Sequence, residues 1–371
     1  MINGLFRKTI KTIIVILNGF IVFLLLLSCL NPWLNPTTYW WIGFIGLLVP
    51  YLVLILIFSV IFWLMVKPKM VFISLAGLLI GWQQISLIFA FHPSEGFSKT
   101  KYKNSIRIVD WNVRSFNGLT KNKETKKHIR EDVASTLIKL QPDIICLQEF
   151  NNSNYRGIES DNLSLFIKDY PYFYFSRDYH RSTGMYYSGS IIFSKYPLID
   201  SGKIKYSFAE SLIYADVVKE SDTFRIYTTH LQSFKFKKED YEDIEKIKDQ
   251  EDESLIASRN IFFKMKLAFS RRGRQAVIVK EELNKRPYPS VICGDFNDIP
   301  NSYTYAHIKG DWQDAFLQKG FGIGRSFITM APTLRIDYIL PDNHFDILQF
   351  DMVDEDLSDH IMLVTDVRLK K

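Results

Sequence analysis

The first 92 residues contain no aspartate or glutamate, and their only basic side chains are Arg7, Lys8, Lys11, Lys67 and Lys69. Three runs within them, about 11–30, 39–66 and 70–92, reach the roughly 20 apolar residues needed to cross a bilayer. A chain that opens this way is committed to a membrane before any soluble fold is considered. Arg7, Lys8 and Lys11 flank the first run and Lys67-Pro68-Lys69 joins the second to the third, whereas the loop Asn31-Pro32-Trp33-Leu34-Asn35-Pro36 carries no charge. Basic loops stay in the cytoplasm. Three crossings then place everything after about residue 93 on the outer side, periplasmic or extracellular, in a multi-pass protein. Lys99, Lys101 and Lys103 follow the third run and run against this rule. Leu26-Leu27-Ser28-Cys29 has the look of a lipoprotein cleavage site, but the two further apolar runs favour an uncleaved anchor.

Removing the five basic residues from a total of 46 Lys+Arg leaves 41 against 40 Asp+Glu, so residues 93–371 are almost neutral. That balance lacks the positive excess of a dedicated nucleic-acid binder. The basic stretch Lys264, Lys266, Arg271, Arg272 and Arg274 and the aromatic stretch Tyr170–Phe175 remain as candidate contacts for a nucleic-acid backbone, for bases or for lipid. Cys29, Cys146 and Cys293 all sit in apolar runs without paired spacing, which gives neither a disulfide framework nor a zinc signature.

Residues 93–104 read as a polar tether, and 105–371 as one soluble unit. Ile106–Asn112 is a strand ending on an amide; Ile129, Val133, Leu137 and Leu140 mark a helix over 124–140 stopped by Pro142; Ile144–Glu149 is a buried strand ending on an acid. A short helix is expected around 161–169. Further strands are Gly189–Ser194, Leu212–Val218 and Phe224–His230, the last delivering a histidine, and a long helix runs to about Asn284. Val291–Gly294 then carries Asp295 and Asn297 at its end. The order strand, helix, Pro-Asp-Ile-Ile-Cys at 142–146 is echoed by strand, helix, Pro-Ser-Val-Ile-Cys at 289–293, with Ile336–Leu340 and Ile361–Val367 taking the later strand positions. We expect two similar halves, each a small sheet flanked by helices, packed sheet against sheet with polar strand ends on one rim.

That rim would gather Asn112, Glu149, His230, Asp295, Asn297, Asp359 and His360. Singly each has an ordinary reading: His230 as a core histidine, Glu149 as a helix cap, Asp359-His360 as a helix start. Together they offer hard oxygen donors without a cysteine or multi-histidine cluster, which suits magnesium or manganese better than zinc. Amides and imidazoles beside such a cation match the hydrolysis of a phosphate ester. No nucleophile elbow, phosphate-binding glycine loop or dinucleotide fingerprint is present.

Trp111-Asn112-Val113, Leu147-Gln148-Glu149, Tyr187–Ser194, Thr229-His230-Leu231, Gly294-Asp295-Phe296-Asn297, Arg335–Ile339 and Ser358-Asp359-His360 resemble, in order, the motifs of the endonuclease/exonuclease/phosphatase superfamily, whose fold is that of deoxyribonuclease I. The resemblance covers 106–367 and leaves 1–104 outside. It implies an α/β fold, a four-layer α-β-β-α sandwich of two packed sheets with pseudo-twofold halves, here preceded by three transmembrane helices. It implies Glu149 as principal metal ligand, Asn112 near metal and phosphate, and Asp359 as a further ligand, with Mg2+ the expected ion and Mn2+ its alternative. His360 resembles the general base, oriented by Asp337, and Asp295 the acid that positions or deprotonates the water. Asn297 and His230 would bind the phosphoryl group. The expected partners are the lipid bilayer and a phosphate-ester substrate, either nucleic acid or a phospholipid head group, with no obligate protein partner. The alternative is a non-catalytic membrane scaffold or ligand sensor that keeps the fold.

Overall fold

The computed structural model describes all residues except 1, 93–95, 120–122, 154–160, 182–184, 208–209, 237–238, 241–253 and 371. The apolar start forms helix α1 (Ile2–Ser28) and helix α2 (Ile42–Val66), followed by α3 (Val71–Ile80) and α4 (Trp82–Ile88). Among the described residues, Lys8–Ser28 within α1 and the whole of α2 are helices long and apolar enough to cross a membrane. The third expected span is different. It breaks at Gly81, and the two pieces are bent by 64°. Its 10-residue upper piece rises only about 15 Å, half a hydrocarbon core, at 1.5 Å per residue. A tertiary contact accompanies the bend: Gln84 is buried and accepts a hydrogen bond from Asn301 Nδ2 at 2.8 Å, so α4 turns to meet the soluble unit. Inside the bundle, Asn18 Oδ1 accepts from Ser59 Oγ (3.1 Å) and Ser74 Oγ (3.0 Å), which ties α1, α2 and α3 together through one polar node.

The soluble unit contains two main sheets. The first has the order β13 (Phe345–Val353), β14 (Met362–Leu369), β2 (Ile106–Asn112), β3 (Ile144–Ser153), β6 (Tyr186–Ser194) and β4 (Tyr172–Phe175), with β5 (Tyr179–His180) also pairing β6. The second has the order β12 (Asp337–Pro341), β10 (Ser290–Asp295), β9 (Asp222–His230), β8 (Ser211–Lys219) and β7 (Leu198–Lys205). In each sheet one parallel pair lies at the centre, β2 with β3 and β9 with β10. The sequence echo is therefore real, but the halves are not separate sheets. β8 belongs to the first half of the echo and pairs with β9 of the second sheet, while β14 comes last and pairs with β2 of the first. Periodicity identifies a strand without saying which edge it joins, so this exchange is invisible in the sequence.

The central strands are largely buried because both faces are covered, and most of their residues short of the polar ends are apolar. Ile106, Ile108 and Cys146 of the first sheet meet Ile213, Ile226 and Cys293 of the second in the middle layer. On the outer face of the first sheet, Val109, Trp111 and Ile145 pack against Ile129, Val133 and Leu137 of helix α5 (Lys123–Lys139). On the other side, Tyr227 and Ile292 pack against Ala276, Val279 and Leu283 of the 31-residue helix α6 (Ser254–Asn284). This is the expected α-β-β-α layering. The helix expected at 161–169 is only a 3-10 turn at Leu163–Leu165.

The N-terminal apolar helices are packed against the soluble unit rather than loosely tethered to it. Asn31 Nδ2 donates to the Asn301 carbonyl, Asn35 Nδ2 to the Tyr303 hydroxyl (3.2 Å), and Arg335 Nη2 to the Leu87 carbonyl (2.9 Å). β1 (Ala90–Phe91) pairs with β11 (Phe321–Gly322). Gly43 and Gly46 let α2 approach closely, since a Cβ there would lie 2.8 Å from the Phe269 ring and from the Asn301 carbonyl oxygen, respectively. The described part of the expected tether, 96–104, is also held, with Lys101 Nζ 2.7 Å from Asp143 Oδ1 and Ser98 N–H donating to Gln349 Oε1.

Candidate active site

The parallel pairs β2/β3 and β9/β10 bring polar groups to the same rim: Asn112, His230 and Asp295 end β2, β9 and β10, and Glu149 sits within β3, which runs on to Ser153. Asp295 is in register with His230 on one side and Asp337 on the other. Gly294 precedes it with φ +141°, and a Cβ there would lie 2.1 Å from the Thr229 carbonyl oxygen. Only glycine lets β10 lie this close to β9 and carry Asp295 to the rim. Several residues here have positive φ although they carry side chains, among them Glu149 (φ 52°) and Asn297 (φ 53°). Such conformations cost about 1–3 kcal/mol and persist where the surroundings fix them. At Glu149 the strain coincides with a register shift between Leu147 and Phe150, which re-aims the carboxylate from the sheet into the pocket.

All eight residues singled out in the sequence converge. Glu149, His230, Asp295, Asn297, Asp359 and His360 line one pocket. Asn112 lies behind them, its Nδ2 3.1 Å from Asp295 Oδ2 and 3.3 Å from Glu149 Oε1. Asp337 holds the far side of His360, with Nδ1 to Oδ2 at 3.0 Å, which leaves Nε2 facing Asp295 Oδ2 at 3.8 Å. His230 Nε2 is 3.5 Å from the same oxygen. Asp295 Oδ1 accepts from the Asn297 N–H (2.8 Å), and Asn297 Nδ2 donates to the Leu231 carbonyl (3.0 Å). The loop carrying His360 is fixed by β2: Trp111 Nε1 donates to its carbonyl (2.7 Å), and Ser358 Oγ donates to the Asn112 carbonyl (2.7 Å).

Burial and charge set the ionisation of these groups. Burial alone would lower His360, but the carboxylates of Asp337 and Asp295 outweigh it and push the imidazole up to about 10. Burial would likewise lower His230, which Glu210 and Asp295 raise instead. Asp295 is raised by burial and by Asp337, Asp359 by burial, with Glu149 adding to it against Arg114 and His360. A pocket whose carboxylates are raised by burial and by one another is one that gains from a bound cation.

Two site residues are missing from the set that the sequence singled out. Glu210 lies in the β7–β8 loop, 3.7 Å from His230 Nδ1, and burial raises its carboxyl to about 7. No periodicity marks that loop. Arg114 Nε lies 3.3 Å from Asp359 Oδ2 and directly follows the first motif, Trp111-Asn112-Val113, where it could have been noticed. Beneath the site, Gln148 Nε2 donates to Asp110 Oδ1 at 2.7 Å; Asp110 is fully buried and raised well above the carboxylate range by burial and by Asp337.

A tight group of Asp295, Asp337 and His360 also has ligand-like spacing. Both Asp337 oxygens lie 3.0–3.1 Å from His360 Nδ1, so this group is an internal hydrogen-bonded relay. Glu149, whose carboxylate faces the pocket, is the freer donor.

Residues 111–360 match the endonuclease/exonuclease/phosphatase family. The chain belongs to that family. Residues 11–88 match a second family, described as a domain of unknown function (DUF8431). No curated protein matches the chain. Solved structures with this family's fold include an endonuclease/exonuclease/phosphatase from Beutenbergia cavernae, 18% identical, covering 72% of each chain with a TM-score of 0.50. Another from Bacteroides vulgatus is 16% identical over 72% of this chain and 100% of its own, also with a TM-score of 0.50. The catalytic domain of human nocturnin, solved with a bound sulfate, is 18% identical over 72% of this chain and 94% of its own, with a TM-score of 0.49. At these identities the likeness concerns fold, and the family's assignment of chemistry to this chain rests on the residues at the rim.

Proposed function

We propose that this chain is a membrane-anchored, divalent-metal-dependent phosphoric ester hydrolase that uses water as nucleophile. The observation that carries the reading is the convergence of Glu149, Asp295, Asp359, His230 and His360 on one pocket. The donor set fits a hard cation: Glu149 and Asp359 are the proposed ligands, with Asn112 beside them, and magnesium is the proposed ion with manganese as its alternative. When bound, the cation would neutralise charge on the phosphoryl oxygens.

The protein's own groups divide the remaining work. Asn112 and the Asn297 N–H hold the Asp295 carboxylate, which we assign as the group that orients the attacking water and takes its proton. Asp337 fixes His360 with Nε2 toward the pocket and favours the imidazolium. In that state His360 donates rather than accepts, so its proposed part is to stabilise charge on the phosphoryl group together with His230 and Asn297. Of the two assignments the resemblance left open for the base, this geometry supports Asp295. The water oxygen bonds to phosphorus as its proton passes to Asp295, the ester P–O bond breaks, and the leaving oxygen takes a proton from solvent while Asp295 returns the one it accepted.

The anchor is proposed to set the side of the membrane. Lys11 and Lys67 are neighbours at the end of the bundle away from the soluble unit, while the uncharged 31–36 loop packs on that unit. The positive-inside rule then leaves the catalytic unit outside, with α1, α2 and the bent pair as three passes. The hydrolase reading is tested by incubating purified protein with magnesium and a panel of single-stranded DNA, a phosphoinositide and sphingomyelin. Release from at least one substrate, abolished by EDTA, is expected. Failure on all three removes the reading.

A further inference from the structure

The catalytic pocket has an unusual wall. Leu47, in the first turns of the apolar helix α2, lines the same pocket as Glu149, Asp295 and His360. Between them runs a continuous apolar surface. Phe44 of α2 meets the Phe269 ring at 5.1 Å, Phe269 meets Phe234 at 5.7 Å, and Phe234 stacks on Phe236 at 5.2 Å. Phe234, Phe236 and Phe269 all line the pocket, and on its other side are Phe327, 4.9 Å from the His360 ring, and Met330, 37% exposed. A pocket built only for a charged, water-borne ester has no use for this surface.

The neighbouring surface continues the pattern. Helix α6 lies beside the start of α2, with Phe262 against Trp40 and Phe44, and Lys266 over the Trp40 ring at 4.6 Å. Phe263 and Leu267 on the same helix are 51% and 50% exposed. Exposed aromatic and aliphatic side chains at the end of an apolar helix, with lysine alongside, are the composition of a bilayer interface. The pocket mouth thus opens where α2 would enter the outer leaflet.

Several of the features that could have served a nucleic acid are engaged within the fold. Lys264 pairs with Asp240, and Arg272 is fully buried, pairing with Asp298 and donating to the Gln232 carbonyl at 2.9 Å. The aromatic stretch at 170–175 is largely built into the fold: Tyr170 and Phe175 are buried in the first sheet's core.

We infer that the substrate is a phosphate ester carried by a bilayer lipid, its phosphate at Glu149, Asp295 and His360 and its acyl chains leaving along Leu47 and the phenylalanine surface into the leaflet. This rests on the hydrolase reading and adds the source of the ester to it. An acyl chain on this surface remains out of water throughout, so the lipid need not be extracted to react.

The test uses the full-length protein in nanodiscs with magnesium. Three substrates are compared: bis(p-nitrophenyl) phosphate as a soluble diester, a single-stranded oligonucleotide, and phospholipids of the surrounding bilayer, scored as released head group or phosphate. The lipid is expected to be turned over faster than the oligonucleotide. Leu47→Gln and, in a loop outside the membrane, Met330→Gln are each expected to lower the ratio of lipid rate to soluble-diester rate by about tenfold. Soluble-diester hydrolysis without lipid hydrolysis overturns the lipid assignment and leaves the hydrolase standing. Faster cleavage of the oligonucleotide, or an unchanged ratio in both variants, overturns it as well. Absence of turnover of all three removes the hydrolase reading, and the lipid assignment with it.

Discussion

Asp337 and His360 are separated by 23 positions in sequence, yet Asp337 Oδ2 lies 3.0 Å from His360 Nδ1 with both side chains buried. One starts β12 and the other precedes β14, so the contact joins the edge of one sheet to the neighbour of the other sheet's central pair. The pairing fixes which imidazole nitrogen faces the pocket. Asp337→Asn keeps the shape but removes the charge that holds the imidazolium. It is expected to lower kcat by about 10²–10⁴-fold, the range seen when an orienting carboxylate is neutralised. Steady-state kinetics with unchanged far-UV circular dichroism would check it; a change confined to KM would mean that the pair only binds.

The docking of the membrane bundle makes a stability prediction. Asn301 Nδ2 donates to the carbonyl and the side-chain oxygen of Gln84 at 3.0 and 2.8 Å, and its own carbonyl accepts from Asn31. Asn301→Ala strands the buried Gln84 oxygen and should cost about 1–3 kcal/mol. Thermal unfolding in detergent should show a lower Tm. An unaltered Tm would mean that the bundle and the soluble unit unfold independently.

Glu210 offers a pH dependence with a defined sign. Burial raises its carboxyl from 4.5 to about 7, so the folded state holds a proton that the unfolded state has released. Stability through this group is full below pH 4.5 and falls as pH rises to about 7. Glu210→Gln should remove that fall, so the variant's stability relative to wild type rises across this window. Chemical denaturation at a series of pH values reads it, and parallel curves for the two proteins would contradict it.

Sealed inside-out and right-side-out vesicles test the topology. Protease added from the outer face is expected to digest the soluble unit, and protease added from the cytoplasmic face to spare it. Digestion only from the cytoplasmic face would reverse the assignment and place the break at Gly81 in a re-entrant loop rather than a pass.

Much of the rim was legible because strand ends with polar residues leave a local mark: Asn112, His230 and Asp295 each terminate an apolar run, and the repeated Pro-led strands revealed the two-sheet plan. What sequence could not supply was anything decided by partners distant along the chain. Gly81 breaks the third apolar run because Gln84 has a polar partner more than 200 residues away, and hydropathy cannot see that contact. β8 and β14 exchange sheets because their pairing edges are chosen in three dimensions. Glu210 reaches His230 from an unpatterned loop, and the basic side chains of α6, which resembled a nucleic-acid track, include Lys264 and Arg272 in ion pairs within the fold.

The most direct measurement of the central claim is hydrolysis of bis(p-nitrophenyl) phosphate by the full-length protein, with and without magnesium, for wild type and Glu149→Gln. Magnesium-dependent turnover is expected, abolished by EDTA and restored by added magnesium or manganese, with Glu149→Gln needing about 10–100-fold more metal for half-maximal rate. Turnover that is indifferent to EDTA, or a Glu149→Gln protein with the wild-type metal requirement, would contradict a hydrolase organised around that carboxylate.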